Sequence, residues 1–138
     1  MYENLPEEAL GIISNVLRVK KSEITNIEVL KQGMTNRSFL FSCQNQKYII
    51  RIPGEGTGFL INRQQEFDVY ETIKDNGLCD NPIYINPHDG YKITEFLPQV
   101  KTCNASNLKD VKHCMEKLRT LHNMKLQVKH TFDIFKQI

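Results

Sequence analysis

Apolar residues recur along this chain in two periods. Over residues 7–18, Leu10, Ile13, Val16 and Leu17 fall at helical spacing, which predicts an amphipathic helix packed on one side of a sheet. Glu7 and Glu8 stand in its first turn and Arg18, Lys20 and Lys21 near its end, the arrangement a helix dipole favours. The pattern then becomes strand-like at residues 24–31, 37–43 and 47–53. There Ser38-Phe39-Leu40-Phe41-Ser42 and Tyr48-Ile49-Ile50-Arg51-Ile52 are rich in aromatic and β-branched side chains. Gln44-Asn45-Gln46 reads as the turn of a hairpin, and Gly33-Met34-Thr35-Asn36 as a tight connection between the first two strands. After Pro53, the loop Gly54-Glu55-Gly56-Thr57-Gly58 reads as a flexible connector or a lid. A helix over 62–76 follows, with Asn62 and Gln65 as a capping box, Gly77 at the C′ position, and Phe67, Tyr70 and Ile73 as its apolar stripe. Strands at 82–85 and 91–95 flank the turn Asn86-Pro87-His88-Asp89-Gly90. A last helix over 107–122 is expected to bury Leu108, Val111, Met115, Leu118 and Leu121, and an apolar tail carries Phe132, Ile134, Phe135 and Ile138. No internal repeat is present. The order predicts an α+β fold, a five-stranded antiparallel sheet with a helix inserted after the third strand.

Composition narrows the function classes. At 138 residues, 40% apolar and 25% charged, the chain is expected to form one ordinary globular domain rather than a disordered or fibrous one. A net charge of +2 is too small to call for a nucleic-acid partner. No apolar run approaches the ~18 residues of a membrane span, and the acidic start, Met1 to Glu8, lacks the features of a secretion signal. Cys43, Cys79, Cys103 and Cys114 form no C-x-x-C pair and no zinc spacing, and read as reduced, mostly buried thiols of a cytoplasmic protein.

Few residues carry candidate chemistry. Gly33 at a strand-to-strand turn allows backbone N–H groups to approach an anion with no Cβ in the way, and Thr35 and Asn36 add short donors; the same glycine would also serve a turn that needs a positive φ. Arg51 interrupts an apolar strand and needs a partner, because a buried unpaired charge costs several kcal/mol. Glu66, one turn into the next helix, is that partner, either as a structural ion pair or as the support of a phosphate-binding cation. Gly54, Gly56 and Gly58 suggest a dinucleotide loop, but Phe59 stands where that pattern needs a small residue, and the reading is rejected. Arg63 is the odd cation: in the first turn of a helix it opposes the dipole, so it answers an acidic neighbour or a ligand phosphate. His88, His122 and the basic stretch 109–136 read as structural or solvated.

Tyr48-Ile49-Ile50-Arg51-Ile52-Pro53-Gly54-Glu55-Gly56-Thr57 and Ile61-Asn62-Arg63-Gln64-Gln65-Glu66 are the most specific stretches of a larger set. Gly33 to Asn36, Lys92-Ile93-Thr94-Glu95-Phe96, Leu121-His122 and Phe132-Asp133 follow in the expected order. Together they resemble the amino-terminal lobe of the choline/ethanolamine kinase family, closest to the bacterial LicA-type choline kinases, across essentially the whole chain. Arg rather than Lys on the third strand favours this family over the aminoglycoside and homoserine kinase relatives. The resemblance implies a protein-kinase-like small lobe at 1–96, then a hinge and the start of a helical lobe at 97–138. It implies ATP and Mg²⁺, and choline as the acceptor that becomes phosphocholine. Gly33, Met34, Thr35 and Asn36 would cover the phosphates, and Arg51, held by Glu66, would bind the α- and β-phosphates. The carbonyl of Glu95 and the N–H of Leu97 would bond the adenine edge. The chain departs from the family in one respect. Two residues after His88, His113, His122 and His130 stand Gly90, Met115, Met124 and Phe132, so no H-x-D-x-x-x-x-N catalytic loop is present, and Asp133 comes too early for the metal-binding Asp. The sequence is therefore expected to be part of a longer enzyme. Alone it should be inactive, with the catalytic and Mg²⁺-binding residues in a missing lobe, and should self-associate through the exposed inter-lobe face. The rival readings are a small-molecule kinase for ethanolamine, thiamine or an aminoglycoside, and a non-catalytic α+β interaction module.

Overall fold

The computed structural model of the chain describes residues 5–33, 35–131 and 133–137. Helix α1 (Glu7–Leu17) leads through a 3-10 turn (Lys21–Glu23) to strands β1 (Thr25–Gln32), β2 (Asn36–Cys43) and β3 (Gln46–Pro53). A second 3-10 turn (Thr57–Phe59) precedes α2 (Arg63–Ile73). Strands β4 (Pro82–Ile85) and β5 (Lys92–Glu95), helix α3 (Leu108–Asn123) and a final turn of helix α4 (Ile134–Gln137) complete the chain. The strands form one sheet in the order β1-β2-β3-β5-β4, antiparallel at every pairing. All five expected strands are there, with no bound displaced by more than one residue. The β2–β3 hairpin closes on Gln44 and Asn45 alone, both with positive φ, as the twist of a two-residue hairpin requires.

Alternation along the strands separates two faces. Phe39, Ile50 and Ile93 form one row across β2, β3 and β5 and are fully buried. Phe41, Cys43, Tyr48, Ile52 and Tyr91 extend this layer, and α1 covers it with Leu5 ahead of the helix and Ala9 and Ile13 within it. The buried stripe of α1 is thus centred on Ala9 and Ile13, while Leu10, Val16 and Leu17 pack half-buried at its margins. The neighbouring residues Ser38, Leu40, Ile49, Arg51, Lys92 and Thr94 point to the other face, and α2 lies on that side.

Three expectations are corrected. Helix α2 begins after Asn62, whose side chain accepts from the Gln65 N–H at 3.0 Å, one half of the expected capping box, but it ends at Ile73 rather than 76. Residues 74–77 form a turn in which Gly77 takes a φ of +65. The stripe of α3 is not buried: Leu108 is 86% exposed, Met115 and Leu118 are exposed, and Asp110 is the buried residue. Helical spacing makes a face apolar without supplying a partner for it, and no described element covers this one. Asp110 is buried because Lys101 Nζ at 2.7 Å and the Asn104 N–H at 3.1 Å converge on its carboxylate. The thiols also differ: Cys43 is buried, Cys79 half-buried, and Cys103 and Cys114 exposed. In the tail Phe135 is exposed, whereas Phe132, Ile138 and the side chain of Ile134 lie outside the described residues. No described helix is long and apolar enough to cross a membrane.

These environments set the expected cost of truncation. Ile93→Ala should destabilise the chain by about 3–4 kcal/mol in urea unfolding, as for large-to-small changes in a closed core. Leu108→Ala should stay within about 0.5 kcal/mol. A large loss at Leu108 would show that the α3 face is covered in solution.

Candidate functional site

The face of the sheet opposite α1 holds the residues of interest because of strand parity. Arg51 follows the buried Ile50 and therefore points away from the core, opposite Ser38 on β2 and Lys92 on β5. The next helix brings Glu66 over it. Arg51 Nη1 donates to Glu66 Oε1 at 2.6 Å and Nη2 to Oε2 at 3.0 Å, a two-pronged pairing. Nη2 also donates to the Gly90 carbonyl at 3.0 Å. Arg63 Nη1 reaches the same carboxylate, 2.9 Å from Oε2, and Nη2 donates to Thr57 Oγ1 at 3.1 Å. Side-chain exposures are 12% for Arg51, 20% for Glu66 and 6% for Arg63, so this ion cluster is largely out of water. Burial alone would push the Glu66 carboxyl up, but hydrogen bonds from Arg51 and Arg63, and their charges, outweigh it and hold the group below the ordinary glutamate range.

Two guanidiniums on one carboxylate leave an excess positive charge at the site. Donor accounting points the same way. Of the five N–H donors of a guanidinium, Arg51 commits three to Glu66 and Gly90, and its Nε–H is buried with no partner among the described residues. Asn36 Oδ1, an acceptor on the Arg51 side of β2, is also buried with no partner among the described residues. An unmet buried polar group costs roughly 1–3 kcal/mol. Arg51 lines a cleft of about 310 Å³ whose apolar wall is Leu30 and Ile49, with Thr94, Ser38 and Lys92 facing it.

Lys92 was not singled out in the sequence, although the signal that exposes Arg51, a cation inside an apolar strand, applies to it as well. It is buried; its Nζ donates to Asp80 Oδ2 and to the Tyr70 hydroxyl, both at 2.9 Å, and sits 4.3 Å from the centre of the Tyr70 ring. Glu66 and Tyr70 are one turn apart on α2, and Arg51 and Lys92 are cross-strand neighbours. The sheet therefore grips successive turns of α2 with two adjacent cations.

The glycine bend lies at the Arg51 end of the cleft. The Gly33 N–H donates to the Asn36 carbonyl and the Gly54 N–H to the Thr35 carbonyl, both at 2.9 Å, and Asn36 Nδ2 donates to Thr35 Oγ1 at 3.2 Å. Asn36 is the first residue of β2 rather than a turn residue, and Met34 lies outside the described residues. The described glycines with positive φ are Gly56, Gly77 and Gly90; Gly33 is not among them, and a Cβ built there would meet nothing closer than the Asn36 oxygen at 3.4 Å. The backbone does not itself demand glycine at 33. At the other end, β5 stops at Glu95, whose N–H donates to the Asn81 carbonyl at 3.0 Å, and the Phe96 N–H donates to the Lys47 carbonyl at 3.0 Å. Nothing among the described residues accepts from the Leu97 N–H. Glu95 is level with Tyr48 and the bend with Pro53, a span of ~17 Å along β3 at ~3.3 Å per residue.

Among the described residues no three His, Cys, Asp or Glu side chains converge as a metal site. Glu66 and Asp80, the carboxylates beside the cleft, are each held by cations. These residues do not fit a Mg²⁺ ion.

The model of the Choline/ethanolamine kinase family matches residues 27–138. Protein LicA of Haemophilus influenzae is 26% identical over 107 residues, covering 75% of this chain and 31% of that protein. The crystal structure of choline kinase LicA from Streptococcus pneumoniae superposes with a TM-score of 0.73 at 30% identity, over 91% of this chain and 43% of that one. LicA in complex with AMP superposes with a TM-score of 0.75 at 28% identity, over 94% and 45% of the two chains. The chain thus spans about a third of the curated relative's length and under half of the solved ones. The sheet with α2 inserted after β3 is the small lobe of a protein-kinase-like fold.

The lowered Glu66 carboxyl sets a pH dependence. Its contribution to stability is complete above the ordinary glutamate pKa of ~4.3 and is lost as pH falls through its lower folded value. Glu66→Gln should cost about 2–3 kcal/mol at pH 7, since two guanidiniums lose their shared anion. In urea melts the gap to the unmodified chain should narrow at pH 3, and a gap independent of pH would contradict the clasp.

Proposed function

The chain belongs to the choline/ethanolamine kinase family, and on that footing we propose that it is the nucleotide-binding lobe of an ATP-dependent choline kinase. The reaction breaks the bond between the β–γ bridging oxygen and the γ-phosphorus, and joins that phosphorus to the choline hydroxyl oxygen. Phosphocholine and ADP leave, and the hydroxyl proton goes to a base. In this reading residues 1–96 hold the nucleotide, and residues 97–138 are the hinge and the start of a helical lobe. That lobe supplies the base, the Mg²⁺ ligands and an aromatic cage for the quaternary ammonium. The setting is the cytoplasm, where ATP is available.

The observation that carries the proposal is the Arg51–Glu66 clasp, buried at the edge of a cleft with its buried Nε–H still unmet. Phosphoryl transfer depends mainly on positioning and on neutralising charge over the phosphates. Arg51 would place its Nε–H and remaining Nη hydrogen on the α- and β-phosphate oxygens while Glu66 fixes the plane of the fork. Gly33, Met34, Thr35 and Asn36 would close over the phosphates. The freedom of Gly33 from any backbone requirement supports this, because the constraint that remains is close approach by a ligand. At the far end the Glu95 carbonyl and Leu97 N–H would take the adenine edge, with Leu30 and Ile49 against its face. Choline as acceptor is supported by the 30% identity to a choline kinase from Streptococcus pneumoniae.

Binding should be weak and turnover absent in the 138-residue chain, since it holds one side of the cleft and no H-x-D-x-x-x-x-N loop. Titration with ADP and Mg²⁺, followed by NMR, should shift amides at Gly33, Asn36 and Leu97. Arg51→Ala should weaken ADP about tenfold or more while the core signals of Ile50 and Ile93 keep their positions. Gly33→Ala should hold stability within about 0.5 kcal/mol yet weaken ADP measurably. An ADP response that survives Arg51→Ala unchanged would count against the proposal. A chain indifferent to ADP would favour an interaction module.

A further inference from the structure

The cluster around Arg51 does not end at Glu66. Arg63, almost wholly buried, gives one nitrogen to Glu66 and the other to Thr57 Oγ1 at 3.1 Å. Gly90 presses against it: a Cβ there would fall 2.6 Å from both Cδ and Nε of Arg63. Thr57 is itself buried, and its hydroxyl donates to the Gly54 carbonyl at 2.8 Å. The Gly54 N–H donates to the Thr35 carbonyl at 2.9 Å. An unbroken line of hydrogen bonds therefore runs from the bend at Thr35 through Gly54, Thr57, Arg63 and Glu66 to Arg51. The stretch read in the sequence as a flexible connector is a turn that runs into the 3-10 helix, and Thr57, the first residue of that helix, fastens it to Gly54.

A guanidinium in the first turn of α2 opposes the helix dipole, and Glu66 is there to offset it. Neutralising Glu66 would need only one nitrogen of Arg63. The second nitrogen holds the loop that anchors the glycine bend, and nothing in the packing of the sheet core requires that bond. We propose that Arg63 is a positioning residue that ties the bend over the phosphates to the cation that binds them, so that both sides of the phosphate site move as one body. This rests on the nucleotide reading of the site given above.

Thr57→Val tests the tie, since it removes the hydroxyl, keeps the shape and leaves the Arg63–Glu66 bond in place. In the full 138-residue chain, amide exchange at Gly54 should quicken about tenfold, while exchange at Ile50 and Ile93 stays unchanged. The ratio of adenosine to ADP dissociation constants, read by NMR titration, should fall about three- to tenfold, because adenosine never reaches the bend. A purely structural Thr57 would alter both ligands alike or neither. Unchanged exchange at Gly54, or an unchanged ratio of the two constants, overturns the proposal. If the unmodified chain binds ADP no better than adenosine, the nucleotide reading itself fails, and the Gly54 exchange rate still decides whether the tie exists.

Discussion

One carboxylate shared by two guanidiniums organises this site. Glu66 lies between Arg51 from the sheet and Arg63 from its own helix, in surroundings where an unbalanced charge is expensive. The sharing explains why Arg63 can stand at the start of α2 despite the dipole. It also orients Arg51 by two bonds to Glu66 and one to the Gly90 carbonyl, and leaves the cluster one positive charge in excess beside a cleft. A fully balanced ion pair would brace α2 against the sheet equally well. The excess, together with an unmet Nε–H, is what the proposed phosphate contact rests on.

The brace is built as well, and separately. Lys92, level with Arg51 on β5, reaches Tyr70 and Asp80 and attaches the next turn of α2. With orientation secured one turn further on, Arg51 can present donors to the cleft without being the sole link between helix and sheet. The opposite face of the sheet is given over to stability, with Phe39, Ile50 and Ile93 in one fully buried row beneath α1. Strand parity puts the apolar core on one side and the charged cluster on the other.

Much of this was legible in the sequence, for identifiable reasons. The strands showed in their β-branched and aromatic runs, and the Arg51–Glu66 pair in the conflict between a charge and its apolar surroundings. Arg63 showed in its conflict with the helix dipole and had Glu66 three residues on to answer it, but its second partner, Thr57, depended on where the loop folds back. The loop at 54–58 looked mobile because three glycines were visible and the burial of Thr57 was not. Lys92 was passed over because its partners, Tyr70 and Asp80, come from a helix and a loop whose faces are set by the fold. The α3 face was misread because periodicity reports amphipathicity and is silent about what lies opposite. The role of Gly33 turned on a φ value and a 3.4 Å clearance, neither of which a sequence displays.

The most direct measurement follows the side chain at the centre of the site. In the NMR spectrum of the ¹⁵N-labelled chain, addition of ADP with Mg²⁺ should move the Arg51 Nε–H resonance and slow its exchange with water, with a far smaller response at Arg63, whose two terminal nitrogens are already held by Glu66 and Thr57. An Arg51 signal that ignores ADP while other resonances respond would place the nucleotide elsewhere and reduce the clasp to a structural ion pair.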